Sequence, residues 1–313
     1  MILLDNKDYW LQRKIRNNKR SIKEENKLLK EIYELLANAY NETINNIYAF
    51  YGEYANEEGI SITQAQKLLT PTELKECANR IKRIQKMVDK IDTSTPFGRE
   101  QERQLKKELR LLRGRGRITR EMLLNDSINE HWIEVAYEMD KKLGEHLAMN
   151  YERSFKEAIK ETKIKRVIGI SRKQIEASIL LPTFAYHFSD TIWKNKDKLI
   201  AFINTELRRG IVQGIDVRKI AKKLQENMEV TKYEAKRLVV TETASIQING
   251  TLEGYKESNV VKKVEVLVYI DKRTCNKCKD HEGAIVELDE AVVGDNIPPF
   301  HPSCRCDITP YIE

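Results

Sequence analysis

The residues best equipped for chemistry lie in the last forty of the chain's 313. One patch reads Asp271-Lys-Arg-Thr-Cys275-Asn-Lys-Cys278, and the other Pro298-Pro299-Phe-His301-Pro302-Ser-Cys304-Arg305-Cys306. Four of the five cysteines fall in these patches. A Cys-x2-Cys pair, a gap of 22 residues and a His-x2-Cys-x-Cys run offer five soft ligands to a tetrahedral ion: Cys275, Cys278, His301, Cys304 and Cys306. Structural zinc takes four such ligands, usually as two close pairs from separate turns. A short turn points both sulfurs inward, which suits a metal, whereas a disulfide within so short a loop is strained. The pattern predicts one structural zinc held by four of the five, with His301 and Cys306 competing for the last place. Disulfides across the two patches, or unligated thiols, are the alternatives.

A catalytic metal would keep a coordination position open for water, and Asp280-His281-Glu282 would then offer Glu282 as a base. Five candidate ligands fill four positions without leaving one open, which marks a structural site. No Ser/His/Asp order and no phosphate-binding glycine loop accompanies them. Glu242 reads as a packing partner for Arg273 or Arg305. His131, His146 and His187 have no ligand-like neighbours in sequence. Cys77 stands alone on an apparent helix, as a small core residue does. The expectation is a protein that is not an enzyme.

Charge is the second chemical signal. Lys and Arg number 55 against 48 Asp and Glu, a net +7, which by itself does not imply nucleic acid. The excess is local. Residues 99–120 carry Arg99, Arg103, Lys106, Lys107, Arg110, Arg113, Arg115, Arg117 and Arg120 against Glu100, Glu102 and Glu108. The glycines of Arg113-Gly-Arg115-Gly-Arg117 let the backbone approach a polyanion, so the patch fits non-specific DNA binding through phosphates. It equally fits a solvated helix end, where basic groups suit the dipole. Arg13, Lys14, Arg16, Lys19 and Arg20 form a smaller basic run, read as a solvated face. No apolar run approaches a membrane span. Met1-Ile-Leu-Leu-Asp5 is too short and too acidic for a signal peptide. A reducing cytosol is expected, which favours metal over disulfide.

The elements that position these groups read as mainly α. Residues 7–58 place Trp10, Ile15, Ile22, Leu28, Leu29, Ile32, Leu35, Leu36, Ala39, Tyr40, Ile44, Ile47 and Tyr48 largely at steps of three and four, without proline. Aromatics near both ends of this helix, among them Tyr9, Trp10, Tyr51 and Tyr54, fit a partner's pockets or the chain's own bundle. Thr70-Pro71-Thr-Glu73 opens a helix to about Ile91. Another helix runs from about Ile118 to Lys163. Val167-Ile-Gly-Ile170 fits a short strand, and Ser171 through Gln174 a capping box. Helices follow at 198–209, 216–227 and 231–257, with Asn195-Lys-Asp197 as a turn and Asp216 and Thr231 as caps. Lys263–Tyr269 is a strand leading into Cys275, Ala284–Glu287 its hairpin partner across Gly283, and Asp307–Ile312 a last edge strand. The predicted architecture is long antiparallel helices followed by a small C-terminal α+β metal-stapled module. It divides into a long-helix scaffold, 1–165, and a second domain, 166–313, whose Cys/His module begins near 262.

The ordered set from about Leu238 to Pro310 resembles the phage head-morphogenesis family, the minor head proteins named for the F protein of phage Mu. It runs through Val240-Thr241-Glu242-Thr243-Ala244, Asn249 and Gly254-Tyr255. It continues with Asp271-x-Arg273-Thr-Cys275-x2-Cys278 and Gly283, and closes with Pro298-Pro299-x-His301-Pro-x-Cys304-Arg305-Cys306 and Pro310. About a quarter of the chain carries this order. The resemblance implies a structural minor head protein of a tailed phage, inside the virion head near the portal and in the host cytoplasm during assembly. It implies a portal protein as partner, capsid or scaffold protein as further partners, contact with packaged DNA, and a role in head assembly and DNA delivery. Some members carry toxin or other enzymatic domains, and with the motif at the end of this sequence no such domain is expected here. A zinc-knuckle DNA-binding protein unconnected to a capsid, or a metal-dependent nuclease, are the competing readings.

Overall fold

The computed structural model describes residues 7–56, 59–60, 70–113, 119–164, 169–270 and 274–311. Helix α1 spans Lys7–Tyr54. The expected continuation to residue 58 is replaced by two short strands, β1 (Ala55–Asn56) and β2 (Gly59–Ile60), which pair antiparallel. Helix α2 covers Pro71–Asp89, with proline at the first helical position. Helices α3 (Pro96–Arg113), α4 (Arg120–Glu161), α5 (Arg172–Ile179), α6 (Phe188–Gln213) and α7 (Val217–Ser258) follow. The chain ends in β3 (Lys263–Leu267), a helical turn α8 (Asn276–Lys279), β4 (Ile285–Glu287) and β5 (Asp307–Tyr311). The fold is mainly α with a small C-terminal α+β module, as expected. Among the described residues, no helix is long and apolar enough to cross a membrane.

Two boundaries differ from the sequence reading, for tertiary reasons. Asn195-Lys-Asp197 lies inside α6 and not in a turn. Lys196 is buried there, with Nζ 2.9 Å from Glu108 Oε2 and 2.9 Å from Asp197 Oδ1. Those ion pairs and the burial of Trp193 and Leu199 outweigh local turn propensity. Thr231 does not cap a new helix, because α7 runs on through it. Its hydroxyl donates back to the Asn227 carbonyl at 3.1 Å and lies 2.7 Å from the Tyr40 hydroxyl. Other expectations hold. Ser171 and Gln174 make a capping box on α5, and Asp216 accepts from the Arg218 N–H at 2.8 Å where α7 begins. Val167 and Ile168 of the proposed short strand lie outside the described residues, and Gly169 and Ile170 have no regular structure.

The chain forms two compact units. One comprises Met1–Lys30, Lys142–Phe188 and Ala235–Glu313, the other Glu31–Lys141 and Ser189–Glu234. Both are assembled from segments far apart in sequence. In the second unit Trp132 donates to Thr43 Oγ1 at 3.0 Å and packs edge-on against Tyr40, with ring centroids 5.1 Å apart.

In the first unit α1 and α4 run antiparallel. Arg13 meets Glu161, Arg20 meets Glu157 and Arg153 meets Glu24. Helices α4 and α7 run parallel, since His146 meets Thr243, Asn150 meets Gln247 and Glu161 meets Tyr255. Their close approach needs glycine. A Cβ on Gly250 would lie 2.6 Å from the Tyr151 carbonyl oxygen, and one on Gly254 would lie 2.6 Å from the Phe155 carbonyl oxygen and 2.7 Å from Ala158 Cβ. None of those atoms is the end of a flexible chain. Gly254→Val is therefore expected to destabilise by about 3 kcal/mol, since overpacked helix contacts force the backbones apart. Gly52→Ala, where nothing lies within 4 Å, is the control and should stay within about 1 kcal/mol of the parent. Urea unfolding measures both, and equal midpoints would refute the close-packing account.

The basic run on α1 is not a simple solvated face. Lys14 is 4% exposed, and Arg13 and Arg20 are paired with carboxylates of α4. The inward stripe of these first turns includes Lys14, Ser21 and Glu25, which breaks the apolar periodicity and leaves Ile22 exposed.

Candidate metal centre

Strand β3 is the middle of a three-stranded antiparallel sheet ordered β4-β3-β5. Its pairing aligns Val264 with Val286 on one side and with Pro310 on the other. Val264 and Val266 point inward and are fully buried. The hairpin closes at Gly283, whose φ of +74° is open to glycine at little cost. The first cysteine pair sits within this β3–β4 connection, and the second precedes β5 directly. The antiparallel register sets the end of β3 beside the starts of β4 and β5, so both patches lie at one end of the sheet.

The core beneath them is not the module's alone. Cys278, Cys304, Cys306, Phe300, Ile297 and Ile308 are buried in one cluster with Ala158 of α4 and Ile248, Leu252 and Tyr255 of α7. The residues before β3 also reach into the loops. Thr241 Oγ1 accepts from the Ser303 N–H at 2.9 Å, Glu242 Oε2 accepts from the Thr183 hydroxyl at 2.6 Å, and Thr243 Oγ1 lies 3.0 Å from His146 Nε2. Each polar residue of Thr241-Glu242-Thr243 therefore faces a different neighbour. Glu242 takes Thr183 as partner, and Arg273 lies outside the described residues. Thr183 and the Thr241–Ser303 tie carry no signal in the sequence, because a hydroxyl next to a backbone N–H leaves no spacing rule.

All five predicted ligands come together. The Cys275 sulfur is 3.3 Å and the Cys278 sulfur 3.1 Å from His301 Nε2. Cys278 and Cys304 sulfurs are 3.7 Å apart, a non-bonded distance, and the four cysteines here are free thiols. Cys278 belongs to two triplets, one with Cys275 and His301 and one with Cys304 and Cys306, and within each the ligand atoms lie within 4.8 Å of one another. Zinc–sulfur bonds of about 2.3 Å at tetrahedral angles set ligand atoms about 3.7 Å apart, so these spacings suit one ion. His301 Nδ1 lies 2.9 Å from the Pro302 carbonyl oxygen, to which it donates, leaving the Nε2 lone pair facing the sulfurs. The cluster can hold a metal ion. A cavity of about 40 Å3 lies beside it, bordered by Tyr269, Thr274, Ser303 and Arg305.

Local backbone geometry tunes the thiols. Cys275 caps α8, and its thiol is lowered by the Cys278 N–H, 3.4 Å from the sulfur. Burial pushes the Cys278 thiol up to about 12. Cys304 is pulled down to about 5 by a hydrogen bond from the Cys306 thiol, which is itself pushed up by the same contact.

The residues of the hydrolytic alternative are engaged in structure. His281 Nδ1 is 2.7 Å from the Lys277 carbonyl oxygen, and its ring packs on Phe300 with centroids 4.0 Å apart. Glu282 accepts from the Val268 N–H at 2.6 Å. His131 lies 3.3 Å from Glu42, and buried His146 is lowered to about 4 by desolvation.

The basic stretch is partly neutralised. Arg103 pairs with Glu100 and Asp190, Lys106 with Glu102, and Lys107 with Asp197. Arg99 donates to the Thr93 and Ser94 carbonyls, and Arg113 to Gln85. Arg110 is exposed, Arg120 half-buried, and Arg115 and Arg117 lie outside the described residues.

Residues 201–309, about a third of the chain, match the protein family described as Phage Mu protein F like protein. The matched segment contains the motif order that runs from Leu238 through Cys306. The NAD(+)--arginine ADP-ribosyltransferase EFV of Enterococcus faecalis is 28% identical over 114 residues, which cover 35% of this chain and 23% of that protein. The chain thus spans about a quarter of the length of this curated relative. No solved structure matches.

Proposed function

We propose that this chain is a structural minor head protein of a tailed phage, acting in head assembly and DNA delivery from a position inside the virion near the portal. The observation that carries the reading is the match to Phage Mu protein F like protein over 201–309, the segment that supplies β3, β4, the start of β5 and the whole Cys/His cluster. Residues 1–165 serve as the long-helix scaffold and 166–313 as the head-morphogenesis domain. The portal protein is the expected partner, with capsid or scaffold protein beside it. The transferase activity named for the Enterococcus relative is left with that protein, of which 23% is matched. His281 and Glu282 have packing and hydrogen-bonding work here, which supports a structural role. The test is co-purification with portal protein from cells lacking capsid protein, together with detection in washed virions. A chain that neither associates with portal nor appears in virions would end the reading.

The cluster in this proposal holds a structural zinc. The contacts of His301 Nε2 with the Cys275 and Cys278 sulfurs, and of Cys278 with Cys304, support Cys275, Cys278, His301 and Cys304 as the four ligands, with Cys306 donating its S–H to the Cys304 sulfur. The metal would join the two loops of a small module, as zinc does where apolar burial is limited.

DNA contact is the second part of the proposal, supported by the basic stretch of α3 and the residues beyond it. With Arg103, Lys106 and Lys107 already paired, the arginines at 113, 115 and 117 become the main phosphate-binding set. Binding to duplex DNA is expected to be weak and sequence-independent. Neutralising those three should reduce the slope of log affinity against log salt by about two to three. An unchanged slope would make the stretch a solvated face, and DNA binding with absence from virions would favour the non-capsid alternative.

A further inference from the structure

Lys14 lies on the third turn of α1 in a run of basic residues, yet it is buried. Its Nζ is 3.3 Å from Asp307 Oδ1. Asp307 opens β5 and directly follows Cys306. The neighbouring Arg13 donates from Nε to Glu161 Oε1 at 3.0 Å, and the other Glu161 oxygen accepts from the Tyr255 hydroxyl. Tyr255 is fully buried in the same core as Cys278, Cys304 and Cys306. One turn earlier Trp10 is also buried. The first turns of α1 therefore rest on groups tied to the Cys/His loops: Asp307, which follows Cys306 and pairs with Leu267 at the end of the sheet, and Tyr255, which shares the buried core. A buried ammonium is tolerated opposite a fixed carboxylate and strongly disfavoured without one. Glu161 and Glu157 also act on Lys14, but Asp307 is the carboxylate its ammonium pairs with directly, so a shift of β5 removes that pair and weakens the hold on this turn of α1.

We propose that the Lys14–Asp307 pair is a latch through which the Cys/His cluster controls the first turns of α1, so that these turns stay docked only while the cluster is intact. Loss of metal from the C-terminal loops is the natural trigger, and to that extent the proposal rests on the zinc reading. The consequence is a helix end that is released or held by the state of a site nearly 300 residues away in sequence.

Hydrogen exchange on the full-length protein tests this, read in peptides spanning 9–24, 275–306 and, for reference, 126–140. Adding a chelator to the zinc-loaded protein should remove protection from 275–306 and speed exchange in 9–24 by about tenfold or more, leaving 126–140 unchanged. Lys14→Met should speed 9–24 by a similar factor with the cluster intact, and chelation should add nothing further in that segment. Protection retained in 9–24 while 275–306 loses it would overturn the latch. So would loss that extends to 126–140, which is global unfolding and not local release. A chelator that leaves 275–306 protected would count against zinc and not against the latch. The latch is then decided by the same peptides in the double variant Cys278→Ala/Cys304→Ala, where unchanged exchange in 9–24 overturns it.

Discussion

Protein purified under reducing conditions is expected to carry about one zinc per chain, and Cys278→Ala is expected to lose both the metal and the order of the C-terminal loops. Cys278 is the residue for this test because it belongs to both ligand triplets and is buried in the core. Zinc binding by small Cys/His modules contributes on the order of 10 kcal/mol to folding. That is comparable to the whole stability of an ordinary domain. The effect should stay within the first unit. Ile248, Leu252 and Tyr255 of α7 and Ala158 of α4 share the buried cluster with the cysteines, so their packing should loosen. Helices around Tyr40, Trp132 and Asn227 bury a separate set of side chains and should keep their helicity. Cys304→Ser should behave like Cys278→Ala, whereas Cys306→Ser should retain metal, because its role is to donate to the Cys304 sulfur. Elemental analysis and near-ultraviolet circular dichroism read these outcomes. Metal-free protein with an ordered C-terminal module would remove the zinc reading, and metal loss in Cys306→Ser with retention in Cys304→Ser would reverse the assignment.

Some of this was legible in sequence because it depends on spacing. The five ligands, the β3–β4 hairpin across Gly283 and the edge strand β5 follow from short-range patterns, and the structure brings them together. The apolar repeat of α1 from Leu28 to Ile47 was equally readable, since its buried face is hydrophobic. What escaped was burial of polar groups. Lys14 looks like one more surface cation until Asp307 is placed opposite it. Asn195-Lys-Asp197 has turn composition, but Glu108 takes Lys196 into the helix packing. The parallel approach of α4 and α7 was hidden as well, because glycines at 250 and 254 register as helix-weakening locally and as contact sites only once Tyr151 and Phe155 are opposite. Hydrophobic periodicity sees one chain segment at a time, and each of these features needs two.

The same burial of polar groups predicts an unusual dependence of stability on pH. Asp140 is fully buried, and desolvation raises its carboxyl from an ordinary 3.8 to about 7. Ser189 and Gln101 stand nearby but close only partly on it: both Asp140 oxygens, Ser189 Oγ and Gln101 Nε2 lack a hydrogen-bond partner among the described residues. Glu242 is raised by desolvation from 4.5 to about 7, partly offset by its hydrogen bond from Thr183. The sign follows from which state holds the proton. Well below pH 4 both carboxyls are protonated folded and unfolded, and neither opposes folding. Between about pH 4 and 7 the unfolded chain releases these protons while the folded chain keeps them, so stability falls as pH rises. Above pH 7 both states are ionised and the full cost remains. At about 1.4 kcal/mol for each pH unit separating the two states, the loss approaches about 4 kcal/mol for Asp140 and about 3 kcal/mol for Glu242. His146 works the other way, since its neutral buried ring loses stability as pH falls from 6.5 toward 4. Differences between parent and variant remove that background. Asp140→Asn and Glu242→Gln should each gain stability relative to the parent as pH rises from 4 to 8, with Asp140→Asn gaining more. Urea midpoints at intervals across that range measure it. Parent and variant curves that stay parallel would show that neither carboxyl keeps its proton in the folded protein.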